Sequence, residues 1–362
     1  MKWSWKIGHI LGIRVQMHMT FLLLLGWVAI RHYAERQEVA DALAGVGFIL
    51  ILFGIVVLHE LGHALTARRF GIRTRDITLL PIGGVARLER MPEDPREELI
   101  VALAGPAVNV LLATLIAGTM VVVTGASISG EITFVGGDLL RNLLWVNIAL
   151  VVFNLIPAFP MDGGRVLRAL LALRMEYVRA TQIAASVGQA LALVFVFAGL
   201  FFNPFLVFIG LFVWMGAAGE ASMVQMKSAL GGIPVSRAMI SDFRAVSPTE
   251  SLRTVANHII DGFQQDFPVV EHGRILGVLT RADLMDAAAK GGLDTPVGHA
   301  MRTEFETAHA SEMLEPAFQR LQGCECRTMP VTRRGELVGV LTMENVGEFL
   351  MLQAAVGRAG EG

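Results

Sequence analysis

The residues with the clearest chemical content lie in the segment VVLHELGHALTARRF, where His59, Glu60 and His63 form an H-E-x-x-H pattern. On a helix, positions four apart share a face, so both imidazoles can hold one ion. Glu60 stands beside them and can take a proton from a metal-bound water. The alternative is a polar helix end with two hydrogen-bonded histidines. Ionisable side chains inside an apolar run are costly, however, and mark functional sites. A catalytic zinc needs a third protein ligand and one open position. Asp162, in FNLIPAFPMDGGRVL, is one candidate; spacing alone leaves Asp76, Glu89 and Glu98 in contention. His18 also lies in an apolar run and reads as a span-end residue rather than a ligand.

The elements that must carry these residues are apolar. The chain has 362 residues, of which 54% are hydrophobic and only 17% charged. Mean hydropathy is +0.57. Soluble domains carry about 25% charged residues. Leu99–Gly130, Asn142–Met161, Ala180–Gly219, Ala42–Leu58 and Val15–Ile30 contain no Asp, Glu, Lys or Arg. Runs near 20 residues match a hydrocarbon core of about 30 Å. With a turn at Asn203-Pro204, the runs predict six spans, roughly 15–31, 42–66, 98–124, 139–158, 180–202 and 204–220, the first being short. Lys and Arg in the connections number 14 on one side and 3 on the other. The excess places both termini in the cytoplasm. The second and fourth spans both run inward, which brings His59, His63 and Asp162 to similar depth toward the cytoplasmic side. Pro157 and Pro160 break the helix before Asp162, and Gly163-Gly164 allow close backbone approach.

The expected fold class is an α-helical polytopic membrane domain over 1–220 with a short membrane-associated β segment. A linker at 221–234, a cytoplasmic α+β part over 235–350 and a tail at 351–362 follow. The net charge of -2, with no concentrated basic patch, gives no sign of a nucleic-acid partner. Cys324 and Cys326 read as reduced cytosolic thiols. No small-residue cleavage site follows the first apolar run, so the N-terminus does not read as a cleavable signal peptide.

The soluble part repeats at an offset of 62 residues: Val235 and Met239 recur as Val297 and Met301, Pro268-Val269 as Pro330-Val331, and Gly277-Val278-Leu279-Thr280 as Gly339-Val340-Leu341-Thr342. The units 235–290 and 297–350 resemble a tandem pair of CBS domains. The resemblance implies that Thr280 and Asp283 hold the ribose of an adenine nucleotide, ATP or AMP, and that Thr342 serves the second site. There Asn345 replaces the acid and weakens the match. The alternative for Thr280 is a helix cap alone. The resemblance also makes the pair available for homodimer formation.

H-E-x-x-H followed about 100 residues later by N-x-x-P-x-x-P-x-D-G-G (Asn154, Pro157, Pro160, Asp162, Gly163, Gly164) resembles the site-2 protease family, in its CBS-bearing prokaryotic subgroup. The resemblance implies one zinc per chain held by His59, His63 and Asp162, with Glu60 activating water. It implies that Asn154 helps hold the substrate. Gly105, Pro106 and Asn109 match a further family pattern on the third span, which adds Asn109 to the substrate residues. Met161 stands where most relatives have Leu, an apolar exchange.

A substrate helix must unwind before hydrolysis, because its carbonyls are hydrogen-bonded, and unpaired backbone is not tolerated in lipid. Ile77–Leu80 and Val85–Leu88 read as short strands around Pro81-Ile82-Gly83-Gly84, and their edge, with Ile82 and Gly83, can pair with an extended substrate. The expected function is therefore an intramembrane zinc endopeptidase in a prokaryotic plasma membrane, with the lipid bilayer and a single-span membrane-tethered regulatory protein as partners. The alternatives are a CBS-gated transporter or channel, against which the absence of repeats within the spans argues, and a catalytically silent protease-like receptor.

Overall fold

The computed structural model describes residues 3–81, 83–92, 94–124, 139–262, 264–324, 326 and 328–359. The chain divides into two units, Met1–Val224 and Gln225–Gly362.

The first unit begins with strands, not with a span. β1 (Ser4–Ile10) turns through Leu11-Gly12 into β2 (Ile13–His18). Both turn residues have positive φ, 51° and 85°, the conformation that a tight hairpin demands. β2 runs parallel to β3 (Thr74–Leu80), which pairs antiparallel with β4 (Gly83–Leu88), in the order β1-β2-β3-β4. Residues 15–18, expected in the first span, are thus strand. Ile13 and Val15 alternate inward and meet Ile77, Leu79, Phe53 and Leu61 in one core. Their period of two merges in sequence with the apolar run of the next helix, which hides it.

That helix, α1 (Met19–Arg36), is capped by His18, whose Nδ1 lies 3.4 Å from the Thr20 amide. α2 (Val39–Arg69) follows and ends at Gly71, whose φ of 74° stops the helix. After β3 and β4, α3 (Pro95–Thr119) opens with Asp94 accepting from the Arg96 amide and Pro95 in the first turn. α4 (Leu139–Asn154), α5 (Asp162–Ala172), α6 (Tyr177–Phe201) and α7 (Phe205–Leu230) complete the helices. Among the described residues, four helices, α2, α3, α6 and α7, are long and apolar enough to cross a membrane, against the six spans expected. The other two expected spans hold shorter apolar helices, Met19–Ala34 and Leu139–Asn154. Sixteen residues at 1.5 Å each reach about 24 Å, short of the ~30 Å core.

The second unit is α+β and built twice. α8 (Leu252–Asp261), the hairpin β5 (Phe267–Glu271) and β6 (Arg274–Leu279), and α9 (Arg281–Gly291) form one layer. β7 (Ala308–His309), α11 (Leu314–Gly323), the hairpin β8 (Thr328–Arg333) and β9 (Glu336–Thr342), and α12 (Met343–Ala359) form the other, while the short α10 (Val297–Ala300) of the second repeat packs on the first. The sequence repeats and the packed cores do not coincide. Ile240 pairs with Val340 and Val278 with Arg302, so each repeat's opening segment crosses onto the last strand of the other. Val235 and Ala238 pack with Leu314 and Leu341, whereas Val297 packs with Leu252 and Leu279. The exchange explains the repeated glycines. A Cβ on Gly277 would lie 2.5 Å from the Arg302 carbonyl oxygen, and one on Gly339 would lie 2.9 Å from that of Ile240. The thiols read as reduced, Cys324 and Cys326, are joined as a disulfide: their Cα atoms are 5.4 Å apart, within bonding range.

Candidate metal centre

α2 presents His59 and His63 on one face, both buried, and Asp162 meets them from the first residue of α5. His59 Nε2, His63 Nε2 and Asp162 Oδ2 lie 3.1 Å from one another on every side. The hydrogen bonds behind them fix which nitrogen carries the proton. On α4, Asn147 Nδ2 reaches the Leu143 carbonyl at 2.8 Å, which can only accept. Asn147 Oδ1 therefore accepts from Asn109 Nδ2 at 3.0 Å, and Asn109 Oδ1 faces His59 Nδ1 at 2.5 Å. His59 is thereby protonated on Nδ1. His63 Nδ1 donates to the Val101 carbonyl at 2.7 Å, with the same result. Both Nε2 lone pairs then point at a carboxylate oxygen and at each other. Three lone pairs converging without a proton repel unless a cation sits among them, so the donor set fits a metal ion. Ligands about 2 Å from a tetrahedral zinc stand roughly 3.3 Å apart, close to the spacing seen.

The backbone is shaped around this triangle. A Cβ on Gly105 of α3 would stand 2.2 Å from His63 Nε2 and 2.6 Å from His59 Nε2. Pro106 follows and has no amide to offer the Ala102 carbonyl one turn earlier. Pro157 stops α4, and the chain folds back so tightly that a Cβ on Gly163 would lie 2.2 Å from the Ile156 carbonyl oxygen. The D-G-G sequence is thus a packing requirement at the turn that aims Asp162.

Glu60 is half-buried, and its Oε2 accepts from the Ala86 amide of β4 at 3.2 Å. β4 is an edge strand and lies close to α2, because a Cβ on Gly84 would come within 2.9 Å of Glu60 Cγ. Gly83 starts β4 opposite Leu80; Ile82 lies outside the described residues. Asn154 is the last residue of α4 and half-buried. Asn109, expected on the substrate side, is fully buried behind His59. Of the other acids left open by spacing, Asp76 forms a two-pronged pair with Arg87, Glu98 pairs with Arg168 and Glu89 is exposed. Asn147 had escaped notice in the sequence. Its signal was a buried-type amide inside a charge-free run.

In the second unit Thr280 caps α9: its Oγ1 accepts from the Asp283 amide at 3.2 Å and donates to Asp283 Oδ2 at 2.5 Å. Arg302 holds the same carboxylate, Nε to Oδ2 at 2.7 Å and Nη2 to Oδ1 at 3.0 Å. Thr342 takes the Asn345 amide at 3.1 Å, and Asn345 Nδ2 donates to the Ala238 carbonyl at 2.5 Å. Burial works to raise the Asp283 pKa, but hydrogen bonds from Arg302 and Thr280 outweigh it and hold the carboxyl below its ordinary value. A lowered folded pKa stabilises the fold above the ordinary value, and that contribution is lost as pH falls through the folded one. Arg302→Met should therefore weaken this unit by about 1 kcal/mol at pH 7, a partly exposed pair being worth little more. The deficit relative to wild type should vanish in acid, where the wild-type carboxylate is protonated as well. Hydrogen exchange over residues 277–290 at both pH values reads this; an equal deficit in acid would contradict it.

A zinc metalloprotease of Methanocaldococcus jannaschii is 35% identical to this chain over 280 residues, covering 77% of this chain and 78% of the relative. The profile of peptidase family M50 matches residues 47–137 and 137–195, the stretch that carries the donor triangle. The chain belongs to peptidase family M50. It is a site-2-protease-like zinc metalloprotease of the membrane, with CBS domains matched at 235–290 and 297–351. The site-2 protease structure from M. jannaschii is 37% identical to this M50 chain, covering 60% of it and 95% of that structure, with a TM-score of 0.45. A Synechocystis sp. protein that bears a zinc metalloprotease name is 28% identical, covering 97% of this chain and 96% of that protein.

Proposed function

We propose that this M50 chain cuts a single-span, membrane-tethered regulatory protein within the bilayer, near its cytoplasmic side. One observation carries the reading: two imidazoles from α2 and the first carboxylate of α5 converge, each donor atom 3.1 Å from the others, over a glycine that leaves them room. His59, His63 and Asp162 would hold one zinc. The bound metal supplies a water of lowered pKa and polarises the scissile carbonyl. Glu60 would act as the general base, holding a proton from the attacking water and returning one to the leaving amine. Asn109 and Asn147 keep His59 in its Nδ1-protonated form. The outer edge of β4, from Gly83 onward, pairs with the unwound substrate, and Asn154 holds the chain beside the metal.

The membrane is read as a prokaryotic plasma membrane, and the Lys and Arg excess on one side supports both termini in the cytoplasm. The CBS pair then faces adenine nucleotides, and Thr280, Asp283 and Thr342 take ATP or AMP there once Arg302 releases Asp283; a CBS-mediated homodimer follows the same reading. Co-expression with candidate single-span regulators tests the activity: a new membrane-released fragment should appear and vanish with a zinc chelator. Cleavage that survives complete zinc removal would sink the reading. Millimolar ATP or AMP should change the cleavage rate; no change in rate or in thermal stability with either nucleotide would remove the regulatory part alone.

A further inference from the structure

The membrane unit buries a second set of charges that neither the donor triangle nor the strand edge uses. Arg168 lies on α5, six residues after Asp162, and its side chain is wholly buried. Its Nε donates to Glu98 Oε1 at 2.8 Å, and its Nη2 donates to the same oxygen. Nη1 donates to Glu220 Oε1 at 2.5 Å. Its Cζ stands 5.0 Å from the centre of the Phe159 ring and 4.9 Å from that of Tyr177. One guanidinium therefore touches α3, the turn before Asp162, the start of α6 and α7. The second Glu98 oxygen is buried with no hydrogen-bond partner among the described residues.

Bringing three ionised groups out of water costs several kcal/mol per ion, and buried triads can often be exchanged for apolar side chains without loss of stability. Stability is a poor reason for this cluster; its placement is a better one. Phe159, three residues before Asp162, and Arg168, six after, grip the stretch that aims the carboxylate. Glu98 lies one turn of α3 before Val101, whose carbonyl receives His63 Nδ1. It lies two turns before Gly105, against which both Nε2 atoms rest. α3 backs the histidines, α5 carries the carboxylate, and Arg168 ties one to the other. Only the planar fork of an arginine can serve acids on two helices while lying between two aromatic faces.

We propose that Arg168 is a positioning residue: through Glu98 and Glu220 its guanidinium fixes α5 against α3 and sets the distance of the Asp162 carboxylate from the two imidazoles. The proposal rests on the zinc reading above. The test uses the full chain in lipid nanodiscs with zinc loaded, and three variants: Arg168→Lys, Arg168→Met, and the triple Arg168→Met/Glu98→Leu/Glu220→Leu. Arg168→Met strands the buried Glu98 carboxylate and the half-buried one of Glu220, and should melt well below wild type. The triple removes all three charges and should melt near it. If the cluster positions Asp162, the triple should still lose zinc to a chelator about 10-fold faster, in the range seen for groups that orient ligands. Its kcat should fall tenfold or more with KM little changed, since misplacing a reacting group by about 1 Å can cost 10²-fold. Arg168→Lys should fold and release zinc at an intermediate rate. A folded triple that keeps zinc and kcat at wild-type levels would overturn the proposal. Should the triple not fold, Arg168→Lys with wild-type zinc retention would do the same. A wild-type chain that never holds zinc would instead remove the underlying reading.

Discussion

Gly105→Ala is expected to empty the metal site while leaving the helices in place. Helix propensity favours the change, since Ala is better than Gly by about 1 kcal/mol in a helix interior. Contact geometry opposes it more strongly. The new methyl carbon would stand 2.2 Å from His63 Nε2 and 2.6 Å from His59 Nε2, distances that no carbon–nitrogen contact tolerates. The imidazoles cannot retreat by rotating freely, because His59 is bonded to Asn109 and His63 to the Val101 carbonyl. Either the rings leave those partners or the methyl occupies the space the ion needs. Zinc content should fall below about a tenth of wild type, and cleavage with it, since disturbing ligand orientation costs 10–100-fold in metal affinity. Gly118 on the same helix provides the control: nothing lies within 4 Å of a Cβ there, so Gly118→Ala should keep its zinc. Metal analysis of both purified variants, with circular dichroism, decides the matter. A Gly105→Ala chain with full zinc would show that the triangle does not hold the ion.

Glu60→Gln is expected to separate binding from chemistry. The amide oxygen of the new side chain can still accept from the Ala86 amide, so α2 and β4 should stay together. None of the three donor atoms is altered, so zinc should remain at one per chain. What is lost is a group able to take a proton, and general base catalysis contributes roughly 10²–10⁴-fold. Cleavage of a single-span substrate should fall by that factor with zinc unchanged, and the variant should trap uncut substrate. Full cleavage by Glu60→Gln would exclude Glu60 as the base.

The chemistry was easier to read from the sequence than the frame that supports it. His59, Glu60 and His63 reveal themselves because their spacing matches a helix turn and because ionisable groups are scarce in an apolar run. Asp162 was one acid among several until its place after a proline-broken span, beside two glycines, was weighed with the family resemblance. The role of Asn147 was not legible: an amide in a span has no pattern of its own, and only the bond to Asn109 gives it a purpose. The first two strands were hidden for a different reason. Ile13 and Val15 alternate over too few residues to be distinguished from the apolar helix that begins at Met19. The resemblance marks Asn109 without saying which way it faces, and the structure turns it to His59.

The crossed openings of the CBS pair have a consequence for how the chain is made. Met239 and Ile240 leave the ribosome about 100 residues before Gly339 and Val340, the partners that cover them. At roughly 5–20 residues per second, the opening of the first repeat stays unclaimed on the order of 5–20 s, whereas Val278 on its last strand waits only for Arg302. By then every transmembrane helix has already emerged. Insertion into the bilayer therefore precedes maturation of the CBS pair, and a chain stalled between the repeats would carry its membrane unit without a finished pair.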